Sequence, residues 1–421
     1  MNVARYTFQK NWRKLYSIAV RDIHVSCVNR NINDAKVIDN QMIRMTWDDN
    51  EICDFPHIFL RDNCQCSTCF HPDSKQRLLD TVKTIDLSIQ PKEVQLDKSN
   101  SDVTITWPDE HVSKFSSKWL KERKFPNEGE KINSTIFKDI KRITWSSKYI
   151  KENMPYIEYD DLMKNDETLL QHFENLISLG LSIIKSAPAE SGVLNRITDK
   201  MTYGYMKKTH YGEIFTVRNK PSPNNLAYTA GYLPLHVDLP YIEYQPGIQL
   251  LHCIEQSDGK DSGVNHLSDG FYTAERLKEQ YPDYFDLLCK VKFKFNDIGG
   301  DIFGEFNKEL ERPVIGLDDF GVVQSISYNN HVRSSFVNAP SKTVFKSYEA
   351  LYVSTRMHYS EVLEYKMEPG DIMVFNNKRV LHGRTSFDPT TTTRWLEGCY
   401  FDWDEVASIY RVTKARLNKD K

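Results

Sequence analysis

Two kinds of hydrophobic periodicity divide this chain. In Met42-Ile43-Arg44-Met45-Thr46-Trp47 and Val103-Thr104-Ile105-Thr106-Trp107 alternate positions are apolar, the period of a half-buried strand. Ile58-Phe59-Leu60 and Val94-Gln95-Leu96 are shorter runs that predict two more strands. Residues 30–125 therefore read as a small β-rich domain, closed by the polar linker Phe125-Pro126-Asn127-Glu128-Gly129-Glu130-Lys131. Beyond it, helices and strands mix. Leu169, Phe173, Leu176 and Ile177 mark one face of a helix that stops at Gly180. Ser341 is placed to cap a second helix carrying Val344, Phe345, Tyr348, Leu351 and Tyr352. Gly247-Ile248-Gln249-Leu250-Leu251-His252-Cys253-Ile254 and Ile372-Met373-Val374-Phe375 read as buried strands. Pro369-Gly370 turns into the second of these, Asn376-Asn377-Lys378 turns out of it, and Val380-Leu381 begins the next strand.

The first 29 residues follow a different pattern. Arg5, Lys10, Arg13, Lys14 and Arg21 precede the first acid, Asp22, and Phe8, Trp12, Leu15 and Tyr16 recur at helical spacing. A basic amphipathic stretch without acids reads as a mitochondrial presequence. The alternative is an ordinary surface helix on a cytoplasmic protein.

Composition narrows the partners. The 421 residues carry a formal charge of −3, so no overall basic field favours nucleic acid. No apolar run approaches the length of a membrane span. Aromatic residues make up 12 % of the chain, enough to build an aromatic pocket as well as a core.

Two clusters carry candidate chemistry. Cys64, Cys66 and Cys69 crowd into six residues while the other five cysteines are scattered, which argues for a metal site rather than a disulfide framework. His57, His71 and His111 are the nearest candidates for a fourth ligand. His71 follows too closely and is tied to a proline. His111 lies in a turn after the Val103–Trp107 strand, and a returning strand would deliver it. The favoured set, Cys64, Cys66, Cys69 and His111, leaves no open position and implies a structural Zn(II). Free surface thiols are the alternative.

The second cluster is His236-Val237-Asp238 with the distant His382. Two neutral imidazoles and a carboxylate can hold Fe(II) on one face and leave the rest open. Arg394, twelve residues past His382, has the planar fork that grips a dicarboxylate. A lone His-x-Asp is a weak signal; the chain contains another, His71-Pro72-Asp73. Two core histidines satisfying local hydrogen bonds would look the same. Ligand-bearing strands with helices outside them fit an α+β chain whose second domain, residues 126–421, is a double-stranded β-helix (jelly roll) with flanking helices.

Longer blocks resolve the choice. Leu60-Arg61-Asp62-Asn63-Cys64-x-Cys66-x-x-Cys69, Trp107-Pro108-Asp109-Glu110-His111, Asn224-Asn225-Leu226-Ala227-Tyr228-Thr229, Pro246-Gly247-Ile248-Gln249-Leu250-Leu251-His252-Cys253-Ile254 and Leu396-Glu397-Gly398-x-Tyr400-x-Asp402-Trp403-Asp404 occur in an order that resembles the γ-butyrobetaine dioxygenase family. Trimethyllysine dioxygenases are similar, with a weaker match in the last block. The resemblance implies Fe(II) at His236, Asp238 and His382, 2-oxoglutarate as co-substrate at Arg394, ascorbate as reductant, the Cys₃His zinc site and a homodimer. It implies a quaternary ammonium substrate, γ-butyrobetaine, hydroxylated to L-carnitine. The family's aromatic cage falls on Tyr211, Phe215, Tyr228 and Tyr400, and its carboxylate-binding amides on Asn225 and Asn329.

Three departures stand out. Phe215 replaces the usual Trp, Leu239 replaces a Tyr that often follows the metal Asp, and the loop Asp258-Gly259-Lys260-Asp261-Ser262-Gly263 is longer than the family's. The rival readings are a trimethyllysine or other betaine dioxygenase, and a non-catalytic metal-binding scaffold.

Overall fold

A computed structural model describes residues 31–127, 137, 139–219, 226–301, 303–390 and 393–419. The expected presequence, residues 1–29, lies outside them, as do Glu128 to Lys131 of the linker. The chain divides into two compact units, 1–132 and 133–421.

The first unit contains two antiparallel three-stranded sheets, Ile32–Val37, Met42–Trp47 and Ile52–Pro56, and Glu93–Leu96, Asp102–Thr106 and Val112–Ser116. Strict alternation along Met42–Trp47 puts Ile43, Met45 and Trp47 inward, where they pack with Phe55, Val103, Ile105, Trp107 and Phe115. Each buried indole keeps a partner: Trp47 Nε1 donates to Ser117 Oγ at 3.0 Å and Trp107 Nε1 to Ser113 Oγ at 2.9 Å. Ile58-Phe59-Leu60 is not the expected strand. It lies in the helix His57–Asp62, which follows Pro56. A three-residue apolar run suits either element, and here Pro56 at the N-cap starts a helix turn.

The second unit is built on a six-stranded and a four-stranded sheet. The larger runs, in spatial order, Ile214–Val217, Trp395–Phe401, Ile248–Glu255, Ile372–Asn376, Leu181–Lys185, Tyr156–Glu158. The smaller runs Leu233–His236, Val380–Arg384, Asn265–Asp269, Leu363–Tyr365. Both faces of the larger sheet are covered, which is why its strands read as continuous apolar runs. Ile248, Leu250, Ile372, Val374, Cys399 and Phe401 pack with Leu169, Phe173 and Leu176 of the helix Asp166–Ser178 and with Val406 and Ile409 of the helix Trp403–Lys419. Leu251, Cys253, Met373, Phe375, Leu396 and Tyr400 face the other way and share a core with Leu235, Val237, Leu267 and Leu381.

The helix Ser341–Ser360 is present, but Pro340 is its N-cap and Ser341 its first residue, so Ser341 makes no capping bond. The sequence also gave no hint of a buried ion pair at the root of the smaller sheet. Arg379 Nε and Nη2 donate to Asp269 Oδ1 and Oδ2 at 2.9 and 2.7 Å, tying adjacent strands together.

Candidate active site and metal centres

In the first unit, the helix His57–Asp62 ends at Asn63 and the chain turns back on itself, with Cys69 N and Phe70 N both donating to Cys66 O. The hairpin between Asp102–Thr106 and Val112–Ser116 turns tightly, Trp107 N donating to His111 O at 2.9 Å. It delivers His111 Nε2 to 3.2, 3.7 and 3.6 Å from the sulfurs of Cys64, Cys66 and Cys69. All four ligand atoms lie within 4.8 Å of one another. Burial raises the Cys64 thiol pKa to about 11. The buried Arg61 sets Nη1 3.5 Å from Cys69 Sγ, a cation beside a set of would-be thiolates. Three soft sulfurs and one imidazole fit zinc, and four protein donors close the site.

In the second unit, His236 ends its strand and stands directly opposite His382 in the antiparallel pairing. Gly383 permits that approach: a Cβ there would meet Leu233 O at 2.5 Å and Leu235 N at 3.1 Å, both immovable backbone. His236 Nδ1 donates to Pro234 O at 2.8 Å, so its neutral form presents a bare lone pair on Nε2. That atom faces Asp238 Oδ1 at 3.2 Å, and His382 Nε2 lies 3.8 Å from the same oxygen. Burial drops the His382 pKa to about 3, so its imidazole is neutral near pH 7 and offers a lone pair. Burial alone would raise the Asp238 pKa; the polar groups around it, the Tyr400 hydroxyl bond among them, bring it below the ordinary carboxylate value. Lone pairs converging on one point fit a divalent cation, and two imidazoles with one carboxylate fit Fe(II).

The carboxylate is held from behind. Tyr400 OH donates to Asp238 Oδ2 at 2.7 Å. Asn377, fully buried, accepts from Asp238 N at 2.8 Å through Oδ1 and donates to Asp238 O at 3.0 Å through Nδ2. The sequence marks Asn377 only as a turn residue. Leu239, next in the chain, has φ +56° and lines the cavity described below, a backbone geometry that costs a branched residue about 1–2 kcal/mol.

Arg394 is 5 % exposed, and burial lowers its pKa to about 10. Among the described residues its Nε has no partner, and Nη2 reaches Asn265 Oδ1 only at 3.5 Å. A buried guanidinium this poorly paired calls for an anion, and a 2-oxoglutarate carboxylate fits. Asn265 pairs with Arg384, two residues along the strand from His382, which places the cation near the metal donors. The long loop closes beside it. Lys366 Nζ donates to Ser257 O, Gly259 O and Ser262 O, and a Cβ on Gly263 would come within 3.1 Å of Arg394 Nε.

A cavity of about 190 Å³ opens on the metal donors. His236 and Asp238 line one part; Tyr211, Phe215, Tyr228, Tyr400 and Asn329 line the rest. Phe215 stacks on Tyr400 at 5.0 Å, and Tyr211 meets Tyr228 edge-on at 6.3 Å. Asn225 lies outside the described residues. Asn329 accepts from His331 N at 3.0 Å and donates to Val237 O at 3.3 Å, which leaves one amide N–H for a ligand. The structure adds Tyr241, Asp297 and His331 to the lining, none of which carries a motif in the sequence.

Known proteins match both units. The model of the taurine catabolism dioxygenase TauD, TfdA family matches residues 147–400, and that of the gamma-butyrobetaine hydroxylase-like N-terminal domain matches residues 36–121. The chain is 34 % identical to gamma-butyrobetaine dioxygenase of Homo sapiens over 92 % of this chain and 98 % of that one. It is 29 % identical to the Pseudomonas enzyme of the same name over 87 % and 92 %. Mitochondrial trimethyllysine dioxygenase of Bos taurus is 28 % identical over 97 % and 94 %.

Proposed function

Because this chain belongs to the gamma-butyrobetaine dioxygenase family within the TauD/TfdA oxygenases, we propose that it hydroxylates γ-butyrobetaine to L-carnitine, with Fe(II), 2-oxoglutarate and O₂, releasing succinate and CO₂. One observation carries the choice of substrate: the aromatic cluster lines the same cavity as His236 and Asp238, two of the three metal donors. A trimethylammonium group has no N–H to donate, so its recognition falls to aromatic faces, here Tyr211, Phe215, Tyr228 and Tyr400.

Iron bound by His236, Asp238 and His382 supplies the activation of O₂ that a protein side chain cannot. The chain supplies position. Arg394 holds the far carboxylate of 2-oxoglutarate; the remaining N–H of Asn329, with Asn225, receives the betaine carboxylate; the cage fixes the cation. Held at both ends, the substrate keeps its target carbon beside the metal donors, and the apolar walls of Phe215, Leu233 and Leu239 keep water away.

The two sheets then form a double-stranded β-helix, residues 30–125 a zinc-stapled domain and residues 126–421 the catalytic domain. Ascorbate serves as reductant and the enzyme works as a homodimer. Mitochondrial placement rests on the basic N-terminus and on trimethyllysine dioxygenase relatives that carry the word in their names. Among the described residues no helix is long and apolar enough to cross a membrane.

Mass spectrometry of purified protein with Fe(II), 2-oxoglutarate, ascorbate and a panel of betaines tests the reading. The expected result is one added oxygen on γ-butyrobetaine, matched by succinate. Faster hydroxylation of trimethyllysine would reassign the substrate, and no turnover of any betaine would favour the scaffold.

A further inference from the structure

The strand Lys292–Asp301 alternates sides, and Phe293 and Phe295 point inward with no exposure. The period of two puts Asp297 next in that inward row, where an apolar residue is expected and a carboxylate is costly unless something compensates it. Asp297 reaches the wall of the same cavity as Tyr211, Phe215, Tyr228 and Tyr400. Its Oδ2 accepts a hydrogen bond from Tyr241 OH at 2.7 Å and lies 3.6 Å from His210 Nε2. Burial alone would raise its pKa, but the neighbouring His210 imidazole and the Tyr241 hydroxyl bring it below the usual carboxylate value. Lys308, its cross-strand partner, places Nζ 3.4 Å from His210 Nδ1, so the imidazole stands between that cation and the carboxylate.

We propose that Asp297 is the counter-charge for the substrate's quaternary ammonium group, a fixed anion in the cage wall that makes the cavity select a cation and not merely a shape. The inference rests on the betaine reading above and goes beyond it. A trimethylammonium group cannot form a hydrogen bond to the carboxylate, so Asp297 acts through its field. That field extends several ångströms in a partly buried site, where aromatic faces act only in contact. Phe215 is a weaker cation–π partner than Trp, and Asp297 offsets that loss. The same charge repels anions such as 2-oxoglutarate and succinate from this end of the cavity.

Asp297→Asn tests it, because the amide keeps the volume and still accepts from Tyr241. The probes are γ-butyrobetaine and its neutral isostere with tert-butyl in place of trimethylammonium. The expected result is a rise of about tenfold or more in KM for γ-butyrobetaine, with little change in kcat or in KM for 2-oxoglutarate. Binding of the neutral isostere, read as competitive inhibition, should stay within about twofold. Asp297→Glu should recover part of the loss. Equal weakening of the charged and neutral ligands would overturn the proposal and leave Asp297 a purely structural residue. An unchanged KM for γ-butyrobetaine in the Asn variant would overturn it too, while the substrate reading stood. Wild-type protein that did not hydroxylate γ-butyrobetaine would instead overturn the substrate reading.

Discussion

Tyr400 performs two jobs, and Tyr400→Phe separates them. Its ring stacks on Phe215 at 5.0 Å as part of the cavity wall, while its hydroxyl donates to Asp238 Oδ2 at 2.7 Å. That bond turns the other oxygen, Oδ1, toward His236 and His382. The variant keeps the aromatic face and removes only the donor. A hydrogen bond to a charged group contributes about 1.5–3 kcal/mol, which sets an upper bound of roughly 10–150-fold. Two effects reduce it. A carboxylate already ligating a cation is a poorer acceptor, and the Asp238 side chain is 21 % exposed, so water replaces part of the lost bond. The expected rise in the apparent Kd for Fe(II) is therefore about 10–30-fold, within the usual range for a residue that orients a metal ligand. At saturating iron, KM for γ-butyrobetaine should change by less than about threefold, because the ring stays. Iron titration followed by steady-state kinetics at saturating iron separates the two. Unchanged iron affinity with a tenfold higher KM for the betaine would refute the assignment and make the hydroxyl a substrate contact.

Four further outcomes are expected. His382→Ala should abolish 2-oxoglutarate turnover and iron binding with the circular dichroism spectrum intact; full turnover with normal iron content would remove His382 from the metal site. Cys66→Ser or His111→Ala should lower zinc content and melting temperature together, since a closed site contributes folding free energy; elemental analysis finding no zinc in the wild-type protein would dismiss the site. Arg394→Met should raise KM for 2-oxoglutarate by about 100-fold without lowering the melting temperature, because the lost cation is buried and poorly paired in the free protein. Phe215→Trp should tighten γ-butyrobetaine binding, or leave it unchanged if the larger ring does not fit over Gly398, where even an added Cβ would strike the phenyl ring.

Residue order made the buried strands legible because both of their faces are covered: Ile372 to Phe375 is apolar throughout, and no periodicity had to be weighed. The two metal sets were legible because their residue types are rare in such company, and the structure brings each set within 4.8 Å. The short run Ile58-Phe59-Leu60 was misread, since three residues cannot distinguish a period of 2 from one of 3.6. Asn377, Tyr241 and Asp297 were not legible as parts of the site. Each acts through a contact with a residue far away in sequence, Asn377 with Asp238 and Tyr241 with Asp297, and no local pattern encodes such a pairing. Tyr400 was placed in the cage through family likeness, but its bond to Asp238 depends on a meeting of two sheets that one strand's sequence cannot announce.

The pairing of His236 with His382 through Gly383 would tie any metal those residues hold to folding itself. A slip of one residue between those strands would turn His382 to the opposite face and break up the donor set. Only the correctly registered chain can therefore chelate tightly, and metal binding draws the folding population toward that register. At a free metal concentration 100 times Kd the gain is about 2.7 kcal/mol, a large share of the net stability of an ordinary domain. Iron supply during synthesis would then govern the yield of correctly folded protein as well as its turnover. Under iron limitation, loss of the folded form would add to the loss of turnover.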